Sequence, residues 1–170
     1  MLEIKDKEEL KALVNEILAE PVTVEIINES DNPLPKPATD GSAGVDLRAH
    51  LPEGLNSMTI PPHGRLAVPT GLFIKLPEGF EAQVRSRSGL ARKHGIFVLN
   101  SPGTIDSDYR GEIVVILYNI SVASFTVEEG DRIAQLIVTR HSKVFFDRVR
   151  EFEEDSSERN SRGFGSTGVK

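Results

Sequence analysis

The residues best suited to chemistry lie in one stretch, 99–112, which reads Leu-Asn-Ser-Pro-Gly-Thr-Ile-Asp-Ser-Asp-Tyr-Arg-Gly-Glu. Asn100 offers an amide that donates and accepts hydrogen bonds, Asp106 a carboxylate, and Tyr109 a flat apolar ring with a polar tip. These groups suffice to hold a nucleobase and a sugar beside a general base. An ordinary hairpin whose acidic side chains face water is the alternative, and the stretch alone leaves both open.

Two short apolar runs must position these side chains. Ile96–Leu99 leads into the stretch and Ile113–Tyr118 leaves it, and both runs are rich in β-branched or aromatic residues. The pattern predicts a strand, a turn region and a return strand, with Pro102-Gly103 and Ser107-Asp108 supplying the turn chemistry. Such a hairpin presents backbone N–H and C=O groups to a flat, polar molecule between its arms.

The rest of the chain from Val22 onward predicts short strands separated by turns rich in Pro and Gly. No helical periodicity interrupts this pattern before the C-terminal tail, which favours an all-β, jelly-roll-like domain over βαβ units. The other strands are predicted at Val22–Ile27, Val45–Arg48, Leu66–Val68, Leu72–Lys75 and Glu81–Arg85.

The two ends of the chain differ from this domain. Residues 1–20 combine capping-box spacing at Asp6-Lys7-Glu8-Glu9 with a helically spaced apolar stripe, and Pro21 ends the predicted amphipathic helix. Residues 151–170 are predicted to form a flexible arm, because 151–161 contains five acidic residues and only one apolar one. The β domain then spans 21–150. The apolar stripe of the helix is expected to pack on its own domain or on a neighbouring subunit.

Composition narrows the class of function. The net charge of −6 gives no general footprint for nucleic acid or for an acidic membrane, so a phosphate site must be a local basic cluster. The absence of cysteine excludes disulfides, thiolate nucleophiles and Cys-based zinc sites. No apolar run approaches the ~20 residues that cross a bilayer, so a soluble cytoplasmic protein is expected.

Three further stretches carry polar groups at positions that suit binding of phosphate or of a metal-bound water. Arg87, Ser88 and Gly89 suit phosphate oxygens, although a basic turn paired with nearby carboxylates has the same composition. Asp46, between two apolar strand residues, must face solvent, a partner or a metal-bound water. Burying Gln135 between apolar neighbours would cost roughly 1–3 kcal/mol without a hydrogen-bond partner, which a phosphate, a metal-bound water or a backbone group could supply.

Together these stretches resemble one enzyme family. Residues 103–111, Gly-Thr-Ile-Asp-Ser-Asp-Tyr-Arg-Gly, closely resemble the third of five motifs of the trimeric dUTP diphosphatase (dUTPase) family. Residues 39–48 resemble its first motif, 87–91 its second and 130–137 its fourth. The tail Gly163-Phe164-Gly165-Ser166-Thr167-Gly168 resembles the fifth, with Asn160 and Arg162 in place of two family glycines.

The resemblance implies a homotrimer of jelly-roll-like subunits that hydrolyses dUTP to dUMP and pyrophosphate, limiting uracil in DNA and supplying dUMP for thymidylate synthesis. It implies three active sites at subunit interfaces, with the third motif and the tail each coming from a different subunit than the first, second and fourth motifs. No nucleic-acid or membrane partner is implied.

The resemblance also implies roles for individual residues. Asp106 would be the catalytic base that holds the attacking water, and Tyr109 would lie under the deoxyribose. Asp46 and Gln135 would contact Mg²⁺ through water, and Gln135 would also serve the phosphates. Uracil would meet Asn100, Gly103, Thr104, Ile105 and Val114. Phosphates would meet Arg87, Ser88, Gly89 and Arg159, and the tail would close with Phe164 over the base and Gly165, Ser166 and Thr167 on the phosphates.

Three competing readings remain at this stage. A dCTP deaminase or a bifunctional deaminase-diphosphatase shares the fold and several motifs, and ammonia release from dCTP would support it. A non-catalytic trimeric protein that binds dUTP without releasing pyrophosphate is the second. The third adds a regulatory partner that grips the N-terminal helix.

Overall fold

The chain folds into two four-stranded sheets, a two-stranded ribbon and a short helix within residues 21–151. In the computed structural model, Lys7, Leu10, Lys11 and residues 21–151 are described. The elements of 21–151 are β1 (Glu25–Asn28), β2 (Val45–Arg48), β3 (Ser57–Ile60), β4 (Arg65–Lys75), β5 (Phe80–Arg85), α1 (Ser88–His94), β6 (Ile96–Val98), β7 (Gly103–Ile105), β8 (Glu112–Asn119), β9 (Phe125–Glu128) and β10 (Arg132–Arg140).

The strand order agrees with the predicted architecture. One sheet has the order β1-β4-β8-β6, the other has the order β2-β10-β5-β7, and β3 pairs with β9. Each of these pairings is antiparallel. The all-β, jelly-roll-like prediction is therefore confirmed.

The core follows from the two-residue period of the strands. In β8, Ile113, Val115 and Leu117 are buried, while Val114 between them is exposed. In β5, Ala82 and Val84 are buried in the same way. Because successive side chains point to opposite faces, the buried sets of both sheets meet in one hydrophobic cluster and the intervening residues remain available for a site.

The predicted strands at Leu66–Val68 and Leu72–Lys75 are one strand, β4, and the expected break between them is wrong. The pairing of β4 with β8 shifts register between Pro69 and Phe73, but the chain does not leave the sheet. Gly71 adopts φ +65° inside this irregularity. The amides of these buried residues are satisfied from outside β4, because the Glu112 carboxylate accepts the Thr70 and Gly71 N–H groups at 3.1 and 2.7 Å.

The region between β6 and β8 also differs from the predicted simple turn. β6 and β8 pair as the expected hairpin arms, with Ile96 opposite Asn119 and Val98 opposite Leu117. The connecting chain, however, crosses to the other sheet, where Gly103–Ile105 pairs with β5 as the short strand β7. Gly103 and Ile105 are buried there, so the crossing is driven by the core and not by turn chemistry.

Smaller differences concern strand ends and unforeseen strands. The first strand begins at Glu25 and not at Val22. The β3–β9 ribbon was not predicted, because its four-residue strands carry Ser, Thr and Glu beside few apolar residues. Among the residues of the predicted N-terminal helix that the structure describes, Lys7, Leu10 and Lys11 are helical and exposed. The rest of that helix and residues 152–170 of the arm lie outside the described residues.

Candidate active site

A cavity of about 190 Å³ opens between β7 and β8, at the centre of the stretch singled out in the sequence. It brings together the residues of this stretch and of β8 that were predicted for the base, the sugar and the attacking water, whereas Phe164, also predicted for the base, lies outside the described residues. Its lining includes Asn100, Gly103, Thr104, Ile105, Asp106, Tyr109, Glu112 and Val114.

Backbone groups form two walls of this cavity. β7 is the last strand of its sheet in the described part of the chain, so one edge of Gly103–Ile105 is not paired within it. On the other side, β6 pairs with β8 only as far as Leu117, and Leu99 then donates to the C=O of Ile116 at 2.8 Å. The arms diverge beyond this point, which opens a cleft at Val114 for a molecule with hydrogen-bonding edges.

Asn100 lies directly against β7. A Cβ added to Gly103 would be 3.0 Å from its Nδ2 atom, so the glycine leaves room for the amide. The amide therefore lies beside the same backbone groups of β7 that face the cavity, and it adds donors and an acceptor to them.

Asp106 and Tyr109 are held by one turn. The Tyr109 N–H donates to the Asp106 C=O at 3.1 Å, and the Tyr109 hydroxyl donates to the Glu112 C=O at 3.0 Å. A Cβ at Gly111 would overlap the Tyr109 ring, so this glycine accommodates the ring. Asp106 remains exposed at the mouth of the cavity, where its carboxylate is free to contact water.

Two residues of this turn were not singled out from the sequence. Arg110 donates from Nη1 to the C=O groups of Ser107 and Tyr109, both at 2.7 Å, and so clamps the turn from within. Glu112 anchors the start of β8 to the irregularity in β4. The position of both residues between the turn and the return strand was the only sequence feature that pointed to them. The sequence could not show the contact of Glu112, because its partner lies about forty residues away.

A second cluster of predicted residues lies on the outer face of the β2-β10-β5-β7 sheet, away from its β7 edge. The Asp46 carboxylate accepts from Arg87 Nε at 3.1 Å and lies 3.6 Å from Arg132 Nη1. Arg87 also donates to the Arg132 C=O at 3.0 Å. Gln135 pairs in register with Asp46 on one side and with Arg85 on the other.

A β-bulge puts these groups on one face. Arg132 pairs with Arg48 and Ala134 with Leu47, so the register shifts by one residue at Ile133. Without the extra residue, Arg132 and Gln135 would point to opposite faces, because they are three positions apart. With it, both share the outer face with Asp46, while Ile133 and Ala134 are both buried. Gln135 is only partly buried, so the predicted desolvation cost is reduced.

Ser88 and Gly89 occupy the first turn of α1. Arg87 is its N-cap residue with an extended backbone, no side chain caps the helix, and Gly95 ends it in the left-handed conformation. Ser88 and Gly89 are exposed, so their N–H groups are available to an anion.

The two clusters do not share a cavity in one chain. Asp46, Arg48 and Arg132 line a separate cleft of about 210 Å³ together with the segment 33–38. β2 and β7 are the opposite edges of the same sheet, which separates Asp46 from the Asp106 cavity by two strands. Arg159, Phe164, Gly165, Ser166 and Thr167 lie outside the described residues.

The segment after β10 returns towards the Asp106 turn. His141 donates its N–H to the Gly79 C=O at 3.0 Å, and Lys143 Nζ lies 2.8 Å from the Glu78 carboxylate. The hydrogen bond and charge of Lys143 lower the pKa of Glu78, and Glu78 raises the pKa of Lys143 in the same way. Beyond this anchor, Val144, Phe145 and Phe146 are 65%, 90% and 95% exposed.

Neither a ready-made metal cage nor a helix that could span a membrane is present in the part of the chain that the structure describes. No three His, Cys, Asp or Glu side chains group there closely enough to hold a metal ion. No described helix is both long and apolar enough to cross a membrane.

Comparison with known proteins identifies the family of the chain. The model of the dUTPase family matches residues 30–168, which span both clusters and the tail. The chain belongs to the dUTPase family.

Curated dUTPases resemble the chain over nearly their whole length. The deoxyuridine 5'-triphosphate nucleotidohydrolase of Finegoldia magna is 49% identical over 145 residues, which is 85% of this chain and 98% of the relative. The enzyme of the same name from Cytophaga hutchinsonii is 52% identical over 146 residues, covering 86% and 92%.

Solved dUTPase structures share the fold. The dUTPase of Staphylococcus bacteriophage 80alpha, solved with dUPNHPP, superposes with a TM-score of 0.74 at 25% identity and covers 86% of this chain and 99% of its own. A mutant dUTPase from phage phi11 of S. aureus, described with a structural Mg(II) ion, has a TM-score of 0.68 at 21% identity and covers 78% and 99%.

Proposed function

We propose that this protein hydrolyses dUTP to dUMP and pyrophosphate. The observation that carries the proposal is the cavity between β7 and β8, where Asp106 and Tyr109 sit on one turn beside two backbone walls and the Asn100 amide. The curated dUTPases that are about half identical to the chain support the same substrate.

The cavity is suited to selecting uracil. Backbone groups at Gly103–Ile105 and Val114 would pair with the base, and the Asn100 amide would add a further hydrogen bond. Cytosine presents a donor where uracil presents an acceptor, and such a mismatch discriminates by ~10⁴ or more. Tyr109, packed on Gly111 and tied to Glu112, would lie under the deoxyribose and exclude a 2′-hydroxyl.

Asp106 would act on the attacking water. Its exposed carboxylate would orient a water in line with the α-phosphorus and accept its proton as the new P–O bond forms. The bond from the α-phosphorus to the bridging oxygen breaks, and the electron pair leaves with pyrophosphate. Since a carboxylate is a weak base at neutral pH, positioning and charge stabilisation of the leaving group must supply much of the acceleration.

The second cluster is suited to the phosphates. Arg87 and Arg132 contact the Asp46 carboxylate, and two more arginines lie near it in the strand register, Arg48 opposite Arg132 and Arg85 opposite Gln135. Four positive charges against one negative charge make this a local basic cluster in a chain whose net charge is −6. The Ser88 and Gly89 N–H groups would add neutral donors.

The Asp46 carboxylate and the Gln135 amide also suit a Mg²⁺ ion whose direct ligands come mainly from the substrate phosphates. Mg²⁺ prefers phosphate oxygens, keeps several waters and needs few direct protein ligands. Asp46 and Gln135, paired side by side, would hold those waters through a carboxylate and an amide. When bound, the ion would neutralise charge on the triphosphate.

A homotrimer would bring the two clusters together. They lie on different parts of one chain, so a complete site needs the Asp106 cavity of one subunit and the Asp46 cluster of another. Val144, Phe145 and Phe146 form an apolar run that is exposed in the part of the chain that the structure describes, which supports packing of the arm on a second copy. The arm, with Arg159 and Phe164–Thr167, would then close a site on another subunit.

The test is pyrophosphate release from dUTP, dCTP, dTTP and UTP with Mg²⁺, alongside ammonia release from dCTP. We expect release from dUTP alone, and a loss of at least about 10²-fold in kcat for Asp106→Asn. Asp31→Asn, the same substitution on an exposed bend, serves as the control and should retain activity.

Each other outcome points elsewhere. Ammonia release would indicate a deaminase. Binding of dUTP without pyrophosphate release would indicate a recognition protein. Full activity of Asp106→Asn would remove this residue from the mechanism.

A further inference from the structure

The proposed phosphate site includes an anionic side chain of the protein itself, Asp46. Both oxygens of Asp46 face guanidinium groups, Oδ1 that of Arg87 at 3.1 Å and Oδ2 that of Arg132 at 3.6 Å. The side chains of Asp46 and Arg87 are each only 26% exposed, so their attraction is less screened than that of a surface pair. Asp46 thus occupies the groups that a phosphate would use.

The backbone of Arg132 is positioned by a β-bulge and by a hydrogen bond from Arg87. The β-bulge at Ile133 puts it on the outer face, and Arg87 Nη1 donates to its backbone C=O at 3.0 Å. Its side chain is 54% exposed and lines the cleft beside Asp46. The proposed contacts to the base, the sugar and the attacking water do not involve Arg132. Its guanidinium is nevertheless one of the two cations that lie beside Asp46.

We infer that Asp46 is a stand-in anion for Arg87 and Arg132, and that Arg132 is a further phosphate-positioning residue. A triphosphate without metal must displace Asp46 from both arginines and then lie next to its uncompensated charge. A triphosphate carrying Mg²⁺ gives Asp46 a new cationic partner as it releases the arginines. Nucleotide and metal therefore bind cooperatively, and metal-free nucleotide is disfavoured. The inference rests on the proposed function of the same site.

The test measures binding and not turnover. Isothermal titration calorimetry with the non-hydrolysable α,β-imido analogue of dUTP gives an affinity in Mg²⁺ and another in EDTA. For Asp46→Asn, we expect the affinity in EDTA to rise about three- to tenfold, because the arginines lose a competing anion. The ratio of the two affinities should fall. Glu53→Gln removes one negative charge from an exposed turn and should leave the ratio unchanged.

A second variant tests Arg132. Arg132→Gln should weaken the analogue in both conditions by at least about threefold, whereas Arg65→Gln, which removes an exposed arginine from the start of β4, should not. Circular dichroism confirms that each variant folds.

Three results would overturn the inference. If Asp46→Asn lowers affinity equally in Mg²⁺ and EDTA, Asp46 only holds the arginines in place. If it changes neither, the ion pair does not compete with phosphate. If the unmodified protein binds the analogue in neither condition, the proposed substrate fails together with the inference, whereas the first two results overturn the inference alone.

Discussion

Tyr109 shows how a single side chain acquires a function from its contacts. Its hydroxyl is tied to the Glu112 C=O and its ring covers Gly111, so the ring cannot swing away from the cavity without breaking a hydrogen bond. A ring held in this way is a rigid floor that excludes a larger sugar. The same contacts leave Tyr109 45% exposed, with its free surface towards the cavity.

Replacement of this ring should relax sugar selection. We predict that Tyr109→Ala raises the ratio of kcat/KM for UTP to that for dUTP by at least about tenfold, because the space for a 2′-hydroxyl is no longer filled. Steady-state pyrophosphate release with both nucleotides measures the ratio. Tyr109→Phe retains the ring and should stay near the unmodified ratio. An unchanged ratio in Tyr109→Ala would refute the role.

At the scale of elements, the site depends on how β4 and β8 are joined. β4 carries an irregularity at Thr70 and Gly71 whose amides would lack partners without Glu112. Glu112 in turn begins the strand whose backbone forms one wall of the cavity and accepts the Tyr109 hydroxyl. Glu112 therefore joins β8 to β4 through its carboxylate and holds the Tyr109 ring through its backbone C=O.

Loss of that carboxylate should affect both stability and binding. We predict that Glu112→Ala lowers the free energy of unfolding by about 1–3 kcal/mol, since two backbone donors lose their acceptor. The KM for dUTP should rise, because the start of β8, whose backbone C=O at residue 112 holds the Tyr109 hydroxyl, loses its anchor to β4. Urea denaturation and steady-state kinetics measure the two effects. Glu112→Gln keeps one acceptor oxygen and should recover most of both, and a KM equal to that of the unmodified protein in Glu112→Ala would show that the anchor serves the fold alone.

At the scale of the whole molecule, the separation of the two clusters makes assembly part of the chemistry. The Asp106 cavity lies at one edge of its sheet and the Asp46 cluster at the other. No hinge in one chain joins opposite edges of a packed sheet without disrupting the core. In the proposed homotrimer, a second copy of the chain would supply the missing half without any such change.

Mixed assemblies test this arrangement directly. Asp106→Asn and Arg87→Ala subunits, each inactive alone, should regain about a quarter of full activity after equal mixing and subunit exchange, because a quarter of random interfaces pair two intact halves. Mixing Arg87→Ala with Asp46→Ala, which damage the same half, should restore nothing. Equal recovery in both mixtures would contradict sharing of sites between subunits.

The sequence by itself determined the chemical groups and the all-β character of this protein. Asp106 and Tyr109 are three residues apart on one turn, and a turn is set by its own residues, so their proximity was predictable. The short apolar run Ile113–Tyr118 predicted the strand β8 for the same local reason, although only the structure shows which of its residues are buried. The family motifs, read in order, indicated which of these groups belong together.

Only the tertiary structure decided how distant groups meet. The bulge at Ile133, the pairing of Glu112 with the β4 irregularity and the crossing of β7 to the second sheet each depend on strand register between residues far apart in the chain. The ion pairs of Asp46 with Arg87 and Arg132 depend on them too. Register is set by the packing of whole sheets around a common core, and no local pattern encodes it.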